Sequence, residues 1–169
     1  FLYHNRVKLV CKMRMQFDIT LQAKFWNKSP DILIILNGEV VAKENNFINN
    51  EDKEIKFEAQ LDEGAHQLTI HRQNKSIKDT IVQNSEIIKD SIVQLSDIVI
   101  DKISIEPLLD KGIFFPHYPE PWLSQQKQKG ETPPTQYNYC RTLHHNGEWK
   151  INFTNPIHVW FFQNISVEI

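Results

Sequence analysis

Between Asp18 and Phe25, apolar and polar residues alternate without a break: Ile19, Leu21, Ala23 and Phe25 against Asp18, Thr20, Gln22 and Lys24. A period of two puts the apolar side chains on one face of an extended strand. The pattern returns in Ile55, Phe57, Ala59 and Leu61, and again in Trp149, Ile151 and Phe153. Leu68, Ile70 and Arg72 share one parity in the same way. Turn chemistry separates these runs at Ser29-Pro30-Asp31, Asp62-Glu63-Gly64 and Asn74-Lys75-Ser76. Asn37-Gly38 marks a hairpin between Ile32–Leu36 and Glu39–Lys43, because both residues accept positive φ. His145-Asn146-Gly147 predicts a second hairpin between Thr142–His144 and Glu148–Phe153. Half-buried strands spaced by about 8–12 residues need a second layer to cover their apolar face. The expected fold is therefore mainly β: an antiparallel β-sandwich of jelly-roll or immunoglobulin-like kind.

Three segments depart from the pattern. Ile87–Leu95 fits a strand or a helical stripe, and its β-branched residues favour the strand. Asp97–Glu106 predicts one long strand whose parity slips between Ile98/Ile100 and Ile103/Ile105, which implies a bulge or bend. Pro156–Asn164 predicts a short C-terminal helix with Val159, Trp160 and Phe162 on its apolar side.

Residues 1–14 hold Arg6, Lys8, Lys12 and Arg14 and no acid, so the remaining 15 basic residues face all 21 acidic ones from Met15 onward. This stretch reads as a basic extension, as translated upstream sequence ahead of a start at Met15, or as an edge strand in which Val7, Leu9 and Cys11 alternate with charges. Residues 15–169 read as a single sandwich domain, with 107–169 as an alternative C-terminal appendage.

A net charge of −2 argues against nucleic acid as the partner, since phosphate binding needs a concentrated basic face. The longest apolar runs, such as Ile32–Leu36, are strand-sized, so no membrane partner is expected. Cys11 and Cys140 are expected as reduced thiols, because a chain this long does not need a staple. The glycosylation-type triplets at Asn27, Asn74, Asn152 and Asn164 are expected to be fortuitous.

Nucleophile elbows, phosphate loops, dinucleotide fingerprints and zinc spacings are missing from the sequence. His144-His145 would point to opposite faces of a strand and cannot easily share a metal. Glycosidase chemistry needs two carboxylates across a cleft. Glu120, Glu131 and Glu148 are candidates only through their aromatic neighbours. No catalytic residue and no cofactor are expected. Calcium is the one alternative, with oxygen ligands from Asn45, Asn49, Asn50, Glu51 and Asp52, or from Asp97 and Asp101.

The stretch FPHYPEPWLSQQ, residues 115–126, is the principal binding candidate. Its prolines stiffen a segment poor in regular structure, forming a long Pro/aromatic loop. Tyr118 and Trp122 would be planes for the C–H faces of sugars, joined by Trp149, while Glu120 and Gln125 would bond hydroxyls. The alternative is that Phe114, Phe115, Tyr118 and Trp122 cover the open end of the sandwich. Lys127–Gln136 follows as an exposed loop, long for a compact domain.

The series DILIILNGEVV, an alternating strand, HQLTIHRQNKS and DIVIDKISIE resembles non-catalytic carbohydrate-binding modules of jelly-roll type. Asp101 matches the aspartate of their V-x-V-D-x-I phrase. YPEPW, then QQ, then LHHNGEWKINF resembles proteins of T4-like marine phages. These resemblances imply a glycan-binding sandwich in a phage-like setting, in the virion or the host cytoplasm. The competing expectations are a structural virion protein contacting neighbouring subunits and a glycoside hydrolase.

Overall fold

The computed structural model describes residues 11–165. Arg6, Lys8, Val7 and Leu9 lie outside them. The fold is mainly β and antiparallel. Its elements in chain order are β1 (Met13–Lys24), β2 (Asp31–Leu36), β3 (Glu39–Glu44), β4 (Asp52–Leu61), β5 (Gly64–Gln73), β6 (Ile81–Gln83), β7 (Glu86–Lys89), β8 (Ile92–Ile100) and β9 (Ile103–Ser104). Then come β10 (Ile113–Pro116), α1 (Trp122–Gln128), β11 (Tyr137–Asn138), β12 (Thr142–Leu143), β13 (Gly147–Asn155) and α2 (Ile157–Asn164). One layer runs β12-β8-β1-β4, with β9 also on β8. The other runs β11-β10-β13-β5-β2-β3, and β6–β7 form a separate ribbon.

The alternation does what its period requires. Phe17, Ile19, Leu21 and Ala23 of β1 are buried, as are Leu68 and Ile70 of β5 and Trp149, Ile151 and Phe153 of β13. The layers meet where Phe17 packs edge-on against Phe153 at 6.3 Å. Within its own layer, Phe17 stacks at 4.8 Å on Phe57, its partner on β4. Each such side chain contributes roughly 1.5–3 kcal/mol by burial. An exposed ion pair such as Arg14–Glu58 contributes about 0–1 kcal/mol. Packing of the two inner faces therefore holds the sandwich together.

Asn37-Gly38 makes the expected hairpin, with φ of 51° and 85°. Four local expectations need correction. Ile87–Leu95 is not one strand: it breaks at Asp90-Ser91 between β7 of the ribbon and β8 of a layer. The parity slip after Ile100 is a chain reversal: Asp101 and Lys102 both take positive φ, and Ile100 pairs with Ile103 across them. The Asp101 carboxylate accepts the Gln16 N–H at 2.8 Å and secures that turn. His145-Asn146-Gly147 is not a hairpin. β12 pairs with β8 in one layer and β13 with β5 in the other, so residues 144–146 cross between layers. The C-terminal helix forms where expected, but it buries Ile157 and Trp160 and leaves Val159 and Phe162 exposed. Helical spacing of three puts residues 157 and 160 on the inner side.

Arg72 has the parity of the core and is 1% exposed. From β5 its Nη1 donates to the carbonyls of Ser91 and Leu143, both at 2.7 Å. Nη2 donates to Ser91 Oγ at 2.6 Å. Burial lowers its pKa to about 10, opposed by Asp90 and Asp79, so it stays charged at neutral pH. The guanidinium thus fastens β5 to the opposite layer. Arg72→Ala would orphan two buried carbonyls and leave a cavity. The expected loss is about 3 kcal/mol or more, read from the urea midpoint, with Arg72→Lys failing to restore it because an ammonium lacks the planar fork.

Candidate functional site

A cleft of about 490 Å³ opens beside Arg72, within the range of small-ligand sites. Its walls come from the segments flanking the β6–β7 ribbon and the ribbon itself, the segment after β10 with the start of α1, and the corner at 144–146. The floor is polar. Lys75 Nζ lies 2.8 Å from Asp90 Oδ1, which also accepts Thr80 Oγ1 at 2.7 Å and the Ser91 N–H at 2.8 Å. Burial pushes the Asp90 carboxyl up, but the hydrogen bonds from Lys75, Thr80 and Ser91 outweigh it and hold the pKa below the usual value. Burial lowers the Lys75 pKa, and the bond to Asp90 opposes that. The corner is clamped reciprocally: the Lys75 N–H donates to Asn146 Oδ1 at 2.8 Å, and Asn146 Nδ2 donates to the Lys75 carbonyl at 2.9 Å. Gly147 follows at φ +147°. A Cβ there would lie 2.3 Å from the Phe115 carbonyl oxygen, so only glycine lets β13 approach β10 at this point.

One wall is apolar, formed by Ile77, Val82 and Ile87 of the ribbon region. Trp122 and Gln125 line the cleft with Pro119, Pro121, His117 and His145. Trp122 is half-buried, so part of its indole remains accessible. His145 packs edge-on against Tyr118 at 5.0 Å, and Tyr118 lies 5.3 Å from Trp122.

The five residues nominated from sequence have different fates. Trp122 and Gln125 come together in the cleft. Tyr118 stands behind them: its hydroxyl donates to the Pro134 carbonyl at 2.6 Å and lies 3.1 Å from the Tyr137 hydroxyl. Burial and that hydroxyl raise its pKa, keeping the phenol neutral. Tyr118 therefore supports the platform. Glu120 Oε2 accepts Ser124 Oγ at 2.7 Å and sits beside the first turn of α1. Trp149 cannot stack on a ligand. It is fully buried, and its Nε1 donates to the Cys140 carbonyl at 3.0 Å. Its indole fills the space a side chain on Gly112 would need, 2.1 Å from where a Cβ would stand. The Pro/aromatic stretch is also more regular than expected, since residues 122–128 form α1. Lys75, Asp90 and Asn146 carry no signal in the sequence, because only the layer crossing gathers them, whereas His117 lies within the Pro/aromatic stretch itself.

Three of the seven calcium candidates have side-chain oxygens engaged within the protein. Asn49 Oδ1 accepts the Phe25 N–H at 2.8 Å, Asp97 Oδ1 accepts Ser104 Oγ at 2.7 Å, and Asp101 holds Gln16. Among the described residues no group of three or more His, Cys, Asp or Glu side chains is placed to hold a metal. Asp90 is the single carboxylate lining the cleft among the described residues, whereas a paired-acid hydrolase needs two.

No family model and no curated protein matches the chain. Among solved structures the fold is similar to the selenomethionine form of vCBM60, described with a circular permutation that links two families of calcium-dependent carbohydrate-binding modules. The TM-score is 0.51 at 10% identity, over 80% of this chain and 88% of that one. vCBM60 in complex with galactobiose aligns at 10% identity over 80% and 95% of the two chains, with a TM-score of 0.49. At such identity the first of these likenesses is one of fold, and it supports the β-sandwich.

His145 gives a pH test. Burial, the largest cause, lowers its pKa from 6.5 to about 4. As pH falls from 6.5 to about 4, the unfolded chain takes up a proton that the folded chain refuses, so stability falls across that window. Melting temperatures at pH 7 and pH 5 are expected to differ less in His145→Gln than in the parent.

Proposed function

We propose that this chain is a non-catalytic β-sandwich module that binds carbohydrate in the cleft beside Trp122. The observation that carries this reading is the pairing of an accessible indole and an apolar wall with a hydrogen-bonding floor. A sugar ring has an apolar C–H face for the indole and hydroxyls that both donate and accept. Gln125 offers an amide of matching dual character, Asn146 keeps one N–H and one lone pair beyond its bonds to Lys75, and His117 adds a ring nitrogen. The shared fold with a carbohydrate-binding module supports the reading by analogy. The lone lining carboxylate favours binding over hydrolysis. A phage particle or an infected host is the setting we propose, on the sequence resemblance of YPEPW and LHHNGEWKINF alone.

Contact with another protein subunit is the second reading. Val82 and Ile87 favour it, being 57% and 63% exposed on the ribbon.

Calorimetric titration with neutral oligosaccharides tests the first reading. Trp122→Ala is expected to weaken binding about tenfold, the effect of losing one stacking plane. Chelation with EDTA is expected to leave affinity unchanged. Absence of binding to every sugar, together with a concentration-dependent increase in size on gel filtration, would replace it with the second reading.

A further inference from the structure

A second concavity, about 1060 Å³ in volume, lies on the outer face of the larger layer and shares no lining residue with the cleft. Along β13 the side chains alternate: Trp149, Ile151 and Phe153 fill the core, while Glu148, Lys150 and Asn152 line this groove. Gln67 stands opposite Asn152 on β5, and its Nε2 donates to Asn152 Oδ1 at 3.1 Å. Asn138 extends the amide set on β11 at the far edge. From β5 to β11 the groove crosses four strands, about 14 Å at ordinary strand spacing.

Tyr139 lines it. The residue is 81% exposed and has a φ of 55°. A bulky side chain rarely takes positive φ, and the strain persists only where the surroundings impose it. Exposure gives the ring no packing in return. An exposed aromatic side chain held at positive φ, in a groove that it lines together with Gln67, Asn138 and Asn152, suits a ligand contact.

We propose that this groove is a second binding site, for an uncharged polysaccharide chain, with Tyr139 as its stacking plane. The inference extends the carbohydrate-binding reading to a different surface and does not depend on the cleft. Charge selects the class. Asp110 and Glu148 balance Lys111 and Lys150, and Lys150 Nζ pairs with Glu148 at 2.9 Å, so the groove favours neither polyanion nor polycation. Side-chain amides both donate and accept, as hydroxyls do. A peptide would add as a strand at an open edge, and the edge strand here, β11, has two residues.

The experiment is titration with neutral disaccharides and hexasaccharides of β-1,4-linked glucose, xylose and galactose. Parent, Tyr139→Ala, Asn152→Ala and Trp122→Ala proteins are compared. The expected result is two sites in the parent, with Tyr139→Ala weakening one about tenfold. Trp122→Ala then leaves the groove site intact. Hexasaccharides gain more than disaccharides at the groove, and Asn152→Ala reduces that gain. Tyr139→Gly separates recognition from folding: it is expected to raise the melting temperature while losing the site. Loss of binding in Trp122→Ala, with Tyr139→Ala and Asn152→Ala unchanged, overturns the groove and keeps the cleft. The reverse pattern overturns the cleft and keeps the groove. No binding of any neutral sugar, or binding of polygalacturonate alone, overturns the groove proposal.

Discussion

The guanidinium of Arg72 is the contact on which the cleft end of this sandwich depends. Its parity puts it among core side chains, where a charge would ordinarily be costly. The cost is offset because its two Nη groups meet fixed acceptors, the carbonyls of Ser91 and Leu143 and the hydroxyl of Ser91, although its buried Nε has no partner among the described residues. Those acceptors belong to the opposite layer or the segment leading into it. Ser91 adjoins Asp90, the floor carboxylate, and Leu143 adjoins His144, where the chain crosses. One side chain therefore fixes the distance between the layers and the placement of the cleft's polar groups.

The rest of the cleft is built with little freedom to lose. Asn146 and Lys75 bond each other in both directions, and Tyr118 is held by its hydroxyl at Pro134. Trp122 starts α1 directly after Pro121, so its backbone is set by the helix. A ligand entering such a site pays little ordering cost, which suits recognition by a few weak contacts. Asp90 and Lys75 satisfy each other across the polar side of the cleft, which also holds His117, His144 and His145.

Much of the fold was legible because period-two burial is a local property. β1, the Asn37-Gly38 hairpin and the C-terminal helix all follow from neighbours in sequence. Pairing between distant strands is not local. Asp101-Lys102 was opaque because a parity change looks the same for a bulge and for a reversal, and Asp-Lys is not a usual turn pair. His145-Asn146-Gly147 carries hairpin chemistry, yet a crossing corner needs the same permissive backbone. The burial of Trp149 was readable from its shared parity with Ile151 and Phe153; its aromatic character drew it into the site in error. The site itself was half legible. Trp122 and Gln125 lie in one short segment, whereas Lys75, Asp90 and Asn146 meet only through the crossing of layers.

Among the described residues, β2–β3, β6–β7, β8–β9 and β10–β11 are the consecutive strands that stay within one sheet or ribbon; elsewhere the chain changes layer. The covalent thread thus laces the layers together at many points along its length. Peeling one layer away would strand the other's connections in solvent together with half of every packed pair. Opening is therefore collective, and the amides of both layers share one free energy of exposure.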